Sequence, residues 1–340
     1  MFRIEPPLTR VLPAVLVAKT LSLKAIYSRS LKSAQDLGTN ADLYSDDSGS
    51  GNTYHDLLLR DDIHAVIIAL PIMVQPEFIE AALVAGKHVL SEKPVAADLK
   101  RAEKLIAFSK SDKVKGGATW GVAENFRFLD SFEYAAQEAR KLGRVLHFKV
   151  KMFANVKHGG KYLETPWRKK PEYQGGFLLD GGVHFVAATR LLLGEDAKPT
   201  GLTAYTNLLQ EHLPPVDTVN SIWLTKSGVS GTFSVSFGTQ LSGSEYTIAC
   251  EKGSVSVVGT KVIVRQGEEN EGNVSVIDFK DRGEGNGVEP EVAAWAQSIL
   301  DGKPNSLQSP EQAFADLEIL EKMLRSGEGK GAPQTLQYQA

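Results

Sequence analysis

Among the side chains able to exchange protons with a bound molecule, three stand out by their sequence context: Lys93, Asp180 and His184. Lys93 lies in the tetrapeptide Ser91-Glu92-Lys93-Pro94, and Asp180 and His184 are four residues apart. In a helix this spacing puts two side chains on one face, where they reach the same small volume. A histidine beside a carboxylate is a plausible proton donor, and an anchored lysine can act as an acid. The three residues are therefore candidates for acid–base chemistry on a small molecule.

Each candidate also has a purely structural interpretation. Asp180 could cap the N-terminus of a helix while His184 is a satisfied core histidine, and their spacing alone favours this interpretation. Lys93 and Glu92 could be solvated surface charges. One Asp/His pair supplies too few ligands for zinc, so we expect no metal site. The single cysteine, Cys250, lies in an alternating strand-like run, and we expect a packed thiol rather than a nucleophile.

The elements that would position Lys93 form a βαβ unit over residues 64–94. The apolar run Val66–Leu70 predicts a buried parallel strand, and the helical pattern after it ends at Gly86. A second short strand, His88–Leu90, precedes the lysine. Lys93 would therefore follow the carboxyl end of a parallel strand, which is the edge where open α/β sheets bind ligands.

The rhythm of predicted elements changes along the chain. Strands alternate with helices up to about residue 125, whereas from Val145 strands alternate with turns and most show period-two patterning. We therefore expect an α/β, Rossmann-like domain over residues 1–125. An α+β domain over 126–340 would follow, with an open, mainly antiparallel sheet and C-terminal helices that could pack back on the first domain. The polar tail after Gly327 is expected to be frayed.

Composition excludes several classes of protein. The 340 residues carry a net charge of −3, which gives no electrostatic reason to expect a nucleic-acid or anionic membrane partner. The sequence has no run of about 18 apolar residues, so no transmembrane helix is expected. One cysteine cannot form an internal disulfide and suits a reducing compartment. We expect a cytoplasmic protein that acts on a small-molecule substrate.

Taken together, the motifs resemble those of the Gfo/Idh/MocA oxidoreductases, which pair a Rossmann domain with an open-sheet α/β domain. The tetrapeptide that contains Lys93 resembles the family's EKP motif. Trp167-Arg168, Gly175-Gly176 and Asp180…His184 resemble its WR…GG…D-x-G-x-H block. The likeness is strongest to a fungal, NADP(H)-dependent branch, through GVAENFRF (121–128) and TPWRKKPEYQGGFLLDGGVH (165–184).

The resemblance implies hydride transfer between a nicotinamide and a small hydroxy or carbonyl compound, sugar- or polyol-like in type. Lys93 would sit by the nicotinamide and the substrate carbonyl, and His184, oriented by Asp180, would donate or accept the proton. The implied cofactor-binding residues are Ser28, Arg29, Leu70, Pro71, Gln75, Glu92, Lys93, Asn125, Trp167 and Arg168. The resemblance also implies a homodimer that forms through the sheet of the second domain.

The choice of cofactor is predicted from the residues after the second Rossmann strand. An acidic residue there would favour NAD by accepting a hydrogen bond from the ribose 2′-hydroxyl. This chain has Ser28-Arg29-Ser30 instead. Because a hydroxyl and a guanidinium suit a 2′-phosphate, NADP(H) is favoured over NAD(H).

One departure from the family pattern is large: no glycine precedes Gly38, so the first strand and its G-x-G-x-x-G turn are not recognisable. We therefore expect an N-terminally truncated Rossmann-like domain. The parent protein could be an ordinary dehydrogenase, or the chain could bind cofactor poorly. It could also be a non-catalytic nucleotide-sensing or protein-binding relative, like a fungal transcriptional repressor of the same fold. Retention of Lys93, Asp180 and His184 favours the enzyme.

Overall fold

A computed structural model describes the backbone of residues 8–159, 171, 173–174, 176–267 and 272–339, with side chains from residue 10. Trp167 and Arg168 lie outside the described residues. The chain divides into two compact units. Residues through Ala123 together with Val288–Pro310 form the first unit, and Glu124–Gly287 together with residues from Glu311 form the second.

The elements are numbered in chain order. The helices are α1 (Leu8–Val17), α2 (Leu31–Gln35), α3 (Tyr54–Leu58), α4 (Gln75–Val84), α5 (Leu99–Ser109), α6 (Asp130–Lys141), α7 (Gly176–Leu193), α8 (Val288–Leu300) and α9 (Pro310–Glu328). The strands are β1 (Ala25–Ser28), β2 (Asp42–Ser45), β3 (Ala65–Ile68), β4 (His88–Ser91), β5 (Trp120–Val122), β6 (Val145–Asn155), β7 (Pro199–Asn207), β8 (Thr218–Thr225), β9 (Ser230–Ser236), β10 (Gly238–Cys250), β11 (Gly253–Val258), β12 (Lys261–Gln266), β13 (Asn273–Asp278) and β14 (Gln334–Thr335).

The first unit has the parallel strands and alternating helices of an α/β fold, as predicted. Strands β3, β4 and β5 form one parallel sheet with β4 in the middle. Val89 and Leu90 of β4 are almost completely buried, as expected for the central strand of a parallel sheet. Helix α4 connects β3 to β4 and completes the βαβ unit.

The parallel strands of the first unit are divided between two sheets. Strands β1 and β2 pair with each other, and no described strand connects β1 to β3. In an unbroken Rossmann sheet the fold's first strand lies between these two. Helices α1 and α8 contribute to the core of this unit. Val11 and Ala14 of α1 pack in one buried cluster with Leu90, Val292 and Trp295.

The second unit is built on a mixed nine-stranded sheet in the order β13-β12-β11-β10-β6-β9-β8-β7-β14. Strands β6 and β9 are parallel, and the other neighbours are antiparallel. Helix α6 packs against β11 and β12, while α7 packs against β6 and β10. In β8, Asn220, Ile222 and Leu224 are exposed and alternate with buried residues, so one face of the sheet is open, as predicted.

Helix α7 is the central helix of the second unit. By length and composition alone it could cross a membrane, but 72% of it is buried inside the protein, as in a core helix. It begins at Gly176, whose φ of +46° favours glycine, and a Cβ there would collide with the Pro214 carbonyl. Because Asp180 lies four residues inside the helix, its interpretation as an N-cap is wrong.

The C-terminal segment is not frayed, contrary to the expectation from its polar composition. Strand β14 pairs with β7. The buried carboxylate of Glu318 on α9 accepts hydrogen bonds from the backbone N–H groups of Gln337 (2.5 Å) and Tyr338 (2.9 Å) and from the side chain of Gln339 (2.8 Å). A buried carboxylate that needs donors therefore holds the segment on the helix.

Candidate active site

In the first unit, the backbone that carries Lys93 is held from both sides. The N–H of Glu92 donates to the Ile68 carbonyl at the end of β3 (2.9 Å), and the Ala123 N–H donates to the Ser91 carbonyl (2.7 Å). Lys93 follows the central strand β4 and is itself partly buried. Lys93 therefore lies on hydrogen-bonded backbone at the carboxyl edge of the parallel sheet, where the sequence predicted it.

In the second unit, the hydrogen-bond partner of His184 is a residue that sequence reasoning missed. Nδ1 of His184 lies 2.7 Å from Oε1 of Glu124, which is 1% exposed, whereas the histidine side chain is 21% exposed. Glu124 directly precedes the 3₁₀ turn Asn125–Phe128, and its Oε1 also accepts the backbone N–H of Phe126 (3.2 Å). The only sequence signal for this role was its position beside Asn125 in the motif GVAENFRF.

The aromatic ring of Phe126 also contacts His184. The two rings stack with centroids 4.9 Å apart and an interplanar angle of 19°. Phe126 in turn contacts the rings of Phe132 and Phe185, at 5.8 Å and 5.9 Å. The imidazole is therefore held on one edge by a carboxylate and on one face by a packed ring.

Asp180 lies on α7 one turn before His184 and is 7% exposed. The two side chains share a face of one helix, as their spacing predicted. The described partner of Nδ1 is nevertheless Glu124, so the orienting role of Asp180 stays a prediction.

A buried cluster of charges supports both segments that carry this pair. Asp316 on α9 binds Arg127 of the 3₁₀ turn and, at 2.7 Å, Nη1 of Arg190 on α7. All three side chains are less than a tenth exposed. Burial lowers the pKa of Arg190, and the charge of Asp316 opposes this effect. The carboxylate thus links the turn after Glu124 to the helix of His184.

The negative charge of Glu124 also affects the buried hydroxyl of Tyr246. Burial raises the pKa of the Tyr246 hydroxyl, and the charge of Glu124 adds to the effect. Within the described part of the chain this hydroxyl has no hydrogen-bond partner. The raised pKa keeps the Tyr246 hydroxyl protonated at neutral pH.

The predicted 2′-phosphate contacts lie at the end of β1. Ser28 is the last residue of the strand, Arg29 is exposed, and Ser30 caps α2 by accepting the Ser33 N–H. The next loop is acidic: Asp46 accepts a hydrogen bond from Tyr27 (2.7 Å). Any phosphate bound by Arg29 would therefore lie in a region that also contains carboxylates.

The residues after β3 include a buried acceptor that has no partner among the described residues. The Pro71 carbonyl accepts the N–H groups of Val74 and Gln75, which turns the chain after Leu70 into α4. Gln75 is 1% exposed, and its Oε1 has no hydrogen-bond partner among the described residues. Such an acceptor suits a hydroxyl or N–H donor of a ligand, and the dinucleotide contacts expected of Leu70, Pro71 and Gln75 stay predictions. The glycine-rich turn that grips a pyrophosphate is not recognisable in the sequence.

Asn125 makes a contact within the second unit. Its Nδ2 donates to the Asn286 carbonyl at 2.5 Å, so the amide is anchored to the segment before α8. Its predicted place at the nicotinamide end of the cofactor stays a prediction, as do the cofactor roles of Glu92, Trp167 and Arg168.

Family models match nearly the whole chain. The model of an oxidoreductase family's NAD-binding Rossmann fold matches residues 9–117, and that of the same family's C-terminal alpha/beta domain matches residues 137–335. The chain belongs to the Gfo/Idh/MocA oxidoreductase family. The resemblance deduced from the motifs is thereby confirmed.

Individual relatives agree with this assignment. Dehydrogenase FPY6 of Fusarium mangiferae is 39% identical over 96% of this chain and 95% of its own length. The dTDP-3,4-didehydro-2,6-dideoxy-alpha-D-glucose 3-reductase of Actinomadura kijaniata is 32% identical over 55% of this chain and 53% of its own. The crystal structure of an oxidoreductase from Thermotoga maritima superposes with a TM-score of 0.82 at 29% identity, over 96% of this chain and 94% of that one. Coverage this full of the Fusarium relative does not support the expected truncation.

Proposed function

We propose that this family member is an NADP(H)-dependent oxidoreductase that interconverts a hydroxyl and a carbonyl group on a small sugar- or polyol-like molecule. The observation that carries the proposal is the partly exposed His184, anchored on a buried helix of a chain that belongs to an oxidoreductase family. A bound nicotinamide would supply or accept the hydride.

The proton is the part of the reaction that this chain's own residues handle. In the oxidative direction the substrate hydroxyl loses its proton to His184, and in the reductive direction His184 returns a proton to the carbonyl oxygen. Lys93 would hold that oxygen through its ammonium group, and Asp180 would favour the charged form of the imidazole. The roles of Lys93 and Asp180 rest on the family motifs.

Support for NADP(H) over NAD(H) comes from Ser28 and Arg29. A guanidinium binds a phosphate through charge-assisted hydrogen bonds, whereas it gives the 2′-hydroxyl of NAD no comparable partner. The carboxylate of Asp46 would repel a 2′-phosphate, which favours NAD(H). The preference between the two cofactors is therefore measured directly. The name of the Actinomadura relative, a 3-reductase of a didehydro-dideoxy sugar nucleotide, supports a carbonyl group on a sugar-like molecule as the substrate.

The proposal is tested by following nicotinamide absorbance with a panel of aldoses, ketoses and polyols. NADPH and NADH are compared at millimolar concentration, because the unrecognised glycine-rich turn predicts weak binding. We expect turnover, with NADPH preferred. Lys93→Met should lower kcat by about 10²-fold while the Kd for NADPH stays unchanged.

Two results would contradict the proposal. Near-wild-type turnover in Lys93→Met would remove the lysine from the reaction. NADPH binding without turnover on any compound would instead support the nucleotide-sensing alternative.

We also propose a homodimer that forms through the open face of the nine-stranded sheet. The exposed Tyr205, Ile222 and Leu224 would provide apolar contacts there. Light scattering should give twice the chain mass, and a monomer at micromolar concentration would refute the proposal.

A cytoplasmic location suits the buried single cysteine.

A further inference from the structure

We propose that Glu124 is the positioning residue of the reaction: its carboxylate fixes the tautomer and the orientation of His184, so that Nε2 is the nitrogen that exchanges the proton. This inference rests on the function proposed above and deepens it. The family motifs imply Asp180 as the residue that orients His184, whereas the structure has Glu124 as the hydrogen-bond partner of Nδ1.

The direction of the hydrogen bond follows from the ionised form of the carboxylate, which can only accept hydrogen bonds. Oε1 of Glu124 accepts the Phe126 N–H (3.2 Å) and lies 2.7 Å from Nδ1 of His184. With Glu124 ionised, we assign the hydrogen of this contact to Nδ1, which donates it. A neutral imidazole that bears its hydrogen on Nδ1 has its lone pair on Nε2. Nε2 can then accept a proton from a substrate hydroxyl, and the imidazolium can return it.

Burial makes the interaction with Glu124 strong. The carboxylate is 1% exposed, and hydrogen bonds to a buried charge are stronger than those in water. When His184 accepts a proton, the new positive charge forms beside a carboxylate that is already in place. The site therefore stabilises the charged intermediate state of the histidine without rearrangement.

The backbone on both sides of the contact is anchored. Arg127, three residues after Glu124, binds Asp316, and Arg190, six residues after His184, binds the same carboxylate. The stacked ring of Phe126 limits rotation of the imidazole out of its plane. Such support is what holds a histidine within the narrow range of orientations that proton transfer requires.

A merely structural role for Glu124 is the competing explanation, because its side chain also closes the start of the 3₁₀ turn. The variant Glu124→Gln distinguishes the positioning role from the structural role. The amide oxygen of glutamine can still accept the Phe126 N–H, so the turn keeps its cap. The charge is lost, and the NH₂ group can donate to Nδ1, which allows the opposite tautomer.

The experiment is nitrogen NMR of protein with ¹⁵N-labelled histidine. His184→Gln identifies the His184 signals among those of the 7 histidines. In the wild type we expect neutral His184 to carry its hydrogen on Nδ1, although free imidazole side chains in water prefer Nε2. In Glu124→Gln we expect a mixture of tautomers. Tyr246→Phe is the matched control, since it removes a buried hydroxyl near Glu124 that makes no hydrogen bond to a described residue, and its spectrum should match the wild type.

Kinetics supply the second readout. Glu124→Gln should lower kcat by about 10²-fold and change the substrate KM and the Kd for NADPH by less than about threefold. Wild-type protein with the hydrogen of His184 on Nε2 would overturn the inference, and this measurement does not depend on whether the variant folds. Equal kcat in Glu124→Gln and wild type would also overturn it. An Nδ1–H tautomer in a protein without turnover would leave the positioning of His184 supported and refute the proposed function alone.

Discussion

Asp316→Asn tests the buried charge cluster that supports the His184 segment. The substitution removes the negative charge between Arg127 and Arg190 and changes the side-chain volume very little. Breaking a buried ion pair at one partner typically costs about 3–5 kcal/mol, because the remaining charge is left uncompensated. Here Arg190 keeps the Gln312 carbonyl (3.1 Å) and Gln339 (3.0 Å) as acceptors, so we expect the lower end, about 3 kcal/mol.

Guanidinium denaturation followed by circular dichroism measures this loss. With an m-value of about 4 kcal/mol per molar denaturant, 3 kcal/mol corresponds to a midpoint about 0.8 M lower. Glu195→Gln is the matched control: Glu195 pairs with Lys198 while 78% exposed, and its loss should cost less than about 1 kcal/mol. A variant of Asp316 within 1 kcal/mol of wild type would refute the reasoning, because it would show that the two guanidiniums do not need this carboxylate.

Two further predictions concern titrating groups in the second unit. Burial, with a smaller contribution from Glu251, raises the pKa of Cys250 to about 11, so alkylation near pH 8 should be far slower in native protein than in guanidinium-unfolded protein; equal rates would show an accessible thiol. Hydrogen bonds from Lys149 and Lys151 lower the pKa of Glu245 to about 2 from its usual 4.5, so its contribution to stability is present above about pH 4.5 and is lost as the pH falls toward 2. Glu245→Gln should therefore flatten the pH dependence of the unfolding free energy in that window. The loss should be less than about 1 kcal/mol, because the cluster of Glu245, Lys149 and Lys151 is partly exposed. An unchanged slope would contradict this assignment.

Local sequence pattern accounts for the elements of this protein that do not depend on long-range contacts. The βαβ unit was readable because apolar residues repeat with the period of the element that buries them, and Lys93 followed because it comes directly after a strand. The same holds for Asp180 and His184, whose common face is a property of helix geometry. Motif spacing was also sufficient to identify the family, which the family models confirmed.

The contacts between residues that are distant in the chain were visible in the fold alone. Glu124 and His184 are 60 residues apart, and Arg190 and Asp316 are 126 apart. No periodicity relates such pairs, since their contact depends on how helices and turns pack after they have formed. The assignment of Val288–Pro310 to the first unit is of the same kind, because an amphipathic helix shows that it has an apolar face but not what that face will cover. The candidate residues Lys93, Asp180 and His184 could therefore be placed on their elements from the chain, whereas the contact between Glu124 and His184 required the fold.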